Sequence, residues 1–303
     1  MLSRHALALT VTAVLLGGCG FGGGAPHSGR GTPPAHSSQS GSAAPAGGTP
    51  REAAPARPWN THPSSVAALG DSITRGFDAC KPVSDCPDVS WATGGRQQVD
   101  SVSTRLGAAS SWNVARSGAH IADLPDQARA AAAHHPAMVT VLIGANDACA
   151  ADTGTMTSVA DFRASFDSTL SYLHRTLPTT QVLVASIPDL QRLWSVGKAN
   201  PLGREVWKLG LCPTMLDDPT SDSPAATQRR TAVRDRVQAY NTVLGQVCAT
   251  YQRCRYDGGA VFAYRFDTRD LSDWDWFHPN PQGESQLARI MAAVAGRPAT
   301  ATS

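Results

Sequence analysis

Short apolar runs alternate with longer segments of helical period through most of this chain, and few folds satisfy that alternation. The runs lie at 66–69, 112–115, 139–143, 182–186 and 260–263. They have the length of strands, and the central ones are apolar throughout, as burial on both faces requires. Between them, Phe162, Phe166, Leu170, Leu173 and Leu177 recur at spacings of 4, 4, 3 and 4, behind a capping signal at Ser158 and Asp161. Val233, Val237, Tyr240, Leu244 and Val247 recur at 4, 3, 4 and 3. Asn280 and Pro281 read as the N-cap and first residue of a last helix carrying Leu287, Ile290, Met291 and Val294. Strands separated by helices in this way predict an α/β fold with a parallel sheet covered on both faces. Ligands bind such sheets outside the carboxyl ends of the strands, so chemistry is expected in the residues just after each run.

The N-terminal part of the chain has a different character. Arg4 and His5 precede an apolar run at 6–16, and Leu16-Gly17-Gly18-Cys19 follows. That run is short of the roughly 20 apolar residues a membrane span needs. It reads instead as an export signal, 1–19, ending in a lipobox whose Cys19 is lipidated; an ordinary signal peptide that contains a Cys is the alternative. Residues 20–58 are dominated by Gly, Ala, Pro, Ser and Thr and bury too little to offset their ordering entropy, so a disordered tether is expected. The folded domain is expected over 59–299, beginning near Trp59. The expected location is the outer face of the cell membrane, held by lipid, or alternatively secretion.

Charge excludes some partners. Past residue 58 the chain carries 22 basic and 23 acidic residues, with no basic stripe, so no nucleic-acid partner is expected; separately, the expected state is a monomer. Setting Cys19 aside leaves Cys80, Cys86, Cys149, Cys212, Cys248 and Cys254. An even count in an exported chain reads as disulfides, and pairing in sequence order is the expectation, although six cysteines allow other pairings. No Cys-x-x-Cys or His-x3-His spacing occurs, so no metal is expected.

Four short blocks fall on the predicted active edge: Gly70-Asp71-Ser72-Ile73-Thr74, Arg116-Ser117-Gly118-Ala119, Gly144-Ala145-Asn146-Asp147 and Asp275-Trp276-Phe277-His278-Pro279. A serine hydroxyl is a weak nucleophile at neutral pH. It needs a base within reach, and the base needs a third group to fix its tautomer. Ser72 is the candidate nucleophile, His278 the base and Asp275 its orienter. Asp273 competes for that last role but lies farther along the chain from His278. The backbone N–H groups of Ser72 and Gly118 and the amide of Asn146 are candidate donors to an oxyanion. Taken singly, Ser72 reads as a helix cap, His278 as a packed histidine and Asn146 as a turn residue. Their joint placement favours catalysis. Asp71 and Asp147 are expected to bond loop backbone, and His134 and His135 to end an alanine-rich helix in solvent.

In this order the blocks resemble those of the SGNH (GDSL) hydrolase superfamily, over nearly all of 64–295. The resemblance implies a flavodoxin-like three-layer sandwich with a five-stranded parallel sheet, and hydrolysis of acyl esters without metal or organic cofactor. Ile73 stands where the family's name has Leu, a conservative change. Ser90-Trp91-Ala92-Thr93-Gly94-Gly95, Asp161-Phe162 and Ser186-Ile187-Pro188-Asp189-Leu190 resemble phospholipase B-like and actinobacterial extracellular lipase members. The substrate implied is an acyl ester of a lipid or, in a second reading, an acylated carbohydrate cleaved by an O-deacetylase. An inactive surface binding protein is a third, disfavoured because every catalytic position is filled. The segment 191–226, rich in apolar residues and tied by Cys212, reads equally as a cap over an acyl-chain pocket and as a flap with its own small core.

Overall fold

The computed structural model describes residues 58–297. The expected signal at 1–19 with its Cys19, and the tether up to residue 57, lie outside the described residues. Five strands make one sheet: β1 (Ser65–Gly70), β2 (Ser110–Asn113), β3 (Met138–Leu142), β4 (Gln181–Val184) and β5 (Cys254–Tyr256). Their order is β2-β1-β3-β4-β5 and every pair is parallel. This is the flavodoxin-like order, in which the chain reverses direction across the sheet at β1 and β3 and leaves a crevice at their carboxyl ends. β1 and β3 pair from Val66↔Met138 to Gly70↔Leu142. Apart from Ser65, their residues are fully buried, which accounts for the unbroken apolar runs.

The connecting helices are α1 (Val102–Arg105), α2 (Leu124–Ala132), α3 (Ala145–Ala148), α4 (Val159–Thr176), α5 (Leu190–Gly197), α6 (Pro201–Trp207), α7 (Pro213–Leu216), α8 (Pro224–Ala249), α9 (Ala260–Ala263) and α10 (Pro281–Ala295). α4 packs between α2 and α8 on one face, while α1 and α10 pack together on the other, giving three layers. The cap signals act as read: the Ser158 hydroxyl accepts from the N–H of Asp161, and Asn280 accepts from Gln282 and Gly283. Phe162, first of the periodic apolar residues in α4, stacks on Tyr240 of α8 with ring centroids 4.1 Å apart.

One strand was misread. Residues 260–263 form α9, and the fifth strand is Cys254–Tyr256. Gly258 and Gly259 turn the chain sharply there, with φ of 72° and 86°. The Asp257 carboxylate then caps the new helix, accepting from the N–H groups of Gly259 and Val261 at 2.8 and 2.9 Å. An apolar run of four carries no period, so it cannot distinguish strand from helix.

The cysteines pair as Cys80–Cys86, Cys149–Cys212 and Cys248–Cys254. The last ties the end of α8 to the start of β5. The middle one closes a loop of 63 residues, a constraint on the unfolded chain of about 4 kcal/mol in the chain-entropy account. Among the described residues, no helix is long and apolar enough to cross a membrane.

Candidate active site

Ser72 stands just past the carboxyl end of β1. Gln127 of α2 clamps the preceding glycine, accepting from the Gly70 N–H at 2.8 Å and donating to the Gly70 carbonyl at 2.9 Å. The chain then turns back on itself, with the N–H of Phe77 donating to the Ser72 carbonyl at 3.0 Å. This presents the Ser72 hydroxyl 2.9 Å from Nε2 of His278. On the far side of the imidazole, Nδ1 lies 2.5 Å from Oδ2 of Asp275. The other oxygen of Asp275 accepts from the N–H groups of Phe277 and His278, both at 2.9 Å. The sequence spacing therefore folds the Asp-x-x-His loop around its own carboxylate. Asp273, the rival orienter, points into solvent.

Electrostatics support a charged imidazole when one forms. Burial works against the charge on Asp275, but His278 and the two backbone N–H groups outweigh it and hold the carboxyl below its usual range. Burial likewise disfavours imidazolium, and the neighbouring Asp275, helped by Asp71 and Asp78, more than restores it, so His278 titrates above its usual value. Phe77 sets its ring edge-on to the imidazole at 5.2 Å.

The oxyanion candidates meet through one contact. Asn146, on α3, donates from Nδ2 to the carbonyl of Ala119 at 2.9 Å, next to Gly118. One amide hydrogen of Asn146 remains for a ligand. Gly118 itself is exposed, and beyond its two chain neighbours no protein atom lies within 4 Å of where its Cβ would stand. The two flanking aspartates bond backbone as anticipated. Asp71 accepts from the N–H of Ile73 at 3.0 Å. Asp147 accepts from the N–H of Ile121 at 2.9 Å and from the Thr157 hydroxyl at 2.7 Å, so it joins the loops after β2 and α3. His134 and His135 are exposed beyond α2.

Two carboxyls, Asp78 and Glu284, escaped the sequence reading, and a third, Asp71, holds its proton in a way the sequence did not announce. Asp78 is buried and its carboxylate accepts from the N–H of Val83; burial first, and the Asp275 charge second, push it up to about 6. Burial drives Asp71 up to about 7. Glu284 of α10 is wholly buried and accepts from the N–H of Trp91 at 2.6 Å; burial raises it well above the usual range. Asp71 and Glu284 each keep one oxygen without a hydrogen-bond partner. Nothing in the spacing of Asp78 or Glu284 marks them, because Asp275 and Trp91 lie about 200 residues away from them.

Ser72, Asn146 and His278 open onto a cavity of about 190 Å³. The rest of its lining is apolar or sulfur-bearing and includes Ile73, Leu190, Leu193, Leu211 and the Cys149–Cys212 bridge. The segment after β4 thus supplies one wall of the site. It also buries Trp207, Met215 and Leu216 in the main core, so the cap and flap readings both describe part of it.

The sequence pattern of one family, described as GDSL-like Lipase/Acylhydrolase, matches residues 66–291. No curated protein matches the chain. Solved structures similar to it include LAE5, an alpha/beta hydrolase enzyme from the metagenome of Lake Arreo, Spain. That match has 19% identity over 77% of this chain and 95% of the other, with a TM-score of 0.48. Phospholipase A1 from Streptomyces albidoflavus NA297 matches at 18% identity over 78% and 100%, with a TM-score of 0.44. The acetyl xylan esterase AlAXEase matches at 15% identity over 76% and 98%, with a TM-score of 0.47.

Proposed function

The chain belongs to the GDSL-like lipase/acylhydrolase family, and from that membership and the geometry around Ser72 we propose that it is a serine esterase cleaving carboxylic acyl esters through an acyl-enzyme. The observation that carries this reading is the unbroken line from Ser72 through His278 to Asp275, at 2.9 and 2.5 Å, beside an apolar cavity. His278 takes the proton of Ser72 as its oxygen attacks the ester carbonyl. Asp275 fixes the tautomer that leaves Nε2 free and stabilises the imidazolium. The N–H groups of Ser72 and Gly118 and the Asn146 amide receive the oxyanion. The imidazolium then protonates the departing alcohol. Water, activated by the same imidazole, releases the acid and restores the serine.

The test is a p-nitrophenyl ester series, acetyl to palmitoyl, on the purified protein and on Ser72→Ala. The variant should lose activity by about a million-fold. Turnover by Ser72→Ala at the parent rate would sink the mechanism. Acetyl-only turnover would favour the carbohydrate O-deacetylase.

The proposal extends to location. The run ending at Leu16-Gly17-Gly18-Cys19 supports a lipid anchor on Cys19, with the stretch after it as tether. Incorporation of labelled palmitate by the full chain, lost in Cys19→Ala, tests it.

A further inference from the structure

The segment between β4 and α8 is fastened on both sides of Ser72. On the side of the Asp275 loop, Trp207 at the end of α6 donates its indole N–H to the Asp275 carbonyl at 2.7 Å. Gly197 lets α5 close directly onto the same loop, where any Cβ would collide with the carbonyl of Trp276. On the other side, Cys212 is bridged to Cys149, which ends α3, the helix that carries Asn146. The Thr214 hydroxyl reinforces that join by donating to the Ala148 carbonyl at 2.7 Å. A segment anchored at both margins of the site cannot swing away as a lid without breaking a covalent bond or opening a buried contact.

Apart from the reacting groups, the side chains this fixed wall offers a ligand are carbon and sulfur. The polar side chains on the cavity surface are Ser72, Asn146 and His278, all already engaged in the proposed chemistry. Among the described residues that line the space, no further side chain carries a hydroxyl, amide or charge to receive a sugar, whereas an acyl chain needs none. The cavity of about 190 Å³ has room for about six water-sized groups at about 30 Å³ each, which, with the reacting carbonyl counted among them, is an acyl chain of about hexanoyl length.

We propose, resting on the esterase reading, that this space is the acyl-chain pocket, bounded by Leu193, Leu211 and the Cys149–Cys212 bridge, and that it selects esters of short to medium straight-chain acids. Because the wall is tied down, the limit on chain length is a fixed property of the fold.

The experiment measures kcat/KM across p-nitrophenyl esters from acetyl to palmitoyl for the full chain, Leu211→Trp and Leu193→Ala. The parent should peak near hexanoyl. Leu211→Trp, at a half-buried position that can take a larger ring, should move the optimum to acetyl or butyryl. The hexanoyl-to-acetyl ratio of kcat/KM should fall by about tenfold or more, since each methylene in an apolar pocket is worth about 10- to 200-fold. Leu193→Ala should move the optimum to longer chains; if that variant does not fold, Leu211→Trp decides alone. A parent optimum at acetyl, or a ratio unchanged by Leu211→Trp, overturns the pocket while Ser72-dependent turnover leaves the esterase standing. Absence of Ser72-dependent turnover of every ester overturns both.

Discussion

Asp78 is buried within the field of the Asp275 carboxylate, so the charge that orients His278 is itself faced by a second acid. Two carboxyls that feel each other's charge cannot both ionise cheaply. His278 and two backbone N–H groups hold the charge on Asp275, and Asp78 is the partner that keeps its proton, up to about pH 6. Its backbone is locked to the same loop, since the Ser272 hydroxyl donates to the Asp78 carbonyl at 2.7 Å.

A shift in pH profile follows. Above about pH 6 Asp78 adds a second negative charge beside the imidazole and favours imidazolium. The base must be neutral to accept the Ser72 proton. Asp78→Asn keeps a hydrogen-bond donor but removes that charge, so His278 should titrate lower. The acid limb of kcat/KM should move to lower pH. Profiles of the two proteins check this, and coincident limbs would refute it.

Trp207→Phe removes the donor to the Asp275 carbonyl and leaves a buried acceptor unpaired. That should destabilise the protein by about 1–3 kcal/mol, read as a lower urea midpoint. Turnover should fall as well, because the loop carrying Asp275 and His278 loses one of its fasteners.

Asn146→Ala should cost about 100- to 1,000-fold in kcat if its free amide hydrogen serves the oxyanion. The same change in the Ser72→Ala background should cost little more, because residues that act on one transition state are not additive. Single-turnover kinetics on the three variants measure this. A large additional loss in the double variant would argue that Asn146 acts elsewhere.

Stability should fall as pH rises from about 4 to 7. Asp71 titrates at about 7 when folded, against an ordinary 3.8. The folded state therefore binds the extra proton in this window. The contribution is complete below the ordinary value and is lost as pH climbs through the folded one. It amounts to about 4 kcal/mol at most, at about 1.36 kcal/mol per unit. Burial of Glu284 acts in the same sense. Asp275, held low, acts oppositely, its contribution being lost as pH falls through its folded value. Urea unfolding between pH 4 and 8 should show the decline, and Asp71→Asn should flatten it.

Legibility in the sequence followed the length of the signal. α4, α8 and α10 could be located because each repeats an apolar face over several turns, and α4 and α10 also announce their starts with a capping side chain. β5 could not: Cys254, Arg255 and Tyr256 are three half-buried residues on an edge strand, too few to show a period. The apolar run at 260–263 was more strand-like on paper, and only the Asp257 cap and the two left-handed glycines make it a helix.

The linear chain by itself determined which residues stand at the active edge. A strand end and the few residues after it are local, so Ser72, Gly118 and Asn146 arrive at neighbouring strand ends once β2, β1 and β3 pair. Asp275 and His278 arrive as one turn just before α10. Tertiary structure alone decided what surrounds them. Asp78 meets Asp275, Glu284 meets Trp91, and Trp207 reaches the Asp275 carbonyl across long separations in sequence, while the Cys149–Cys212 bridge brings a distant apolar wall to the cavity. Such contacts depend on how helices and loops pack in three dimensions, and no spacing along the chain encodes them.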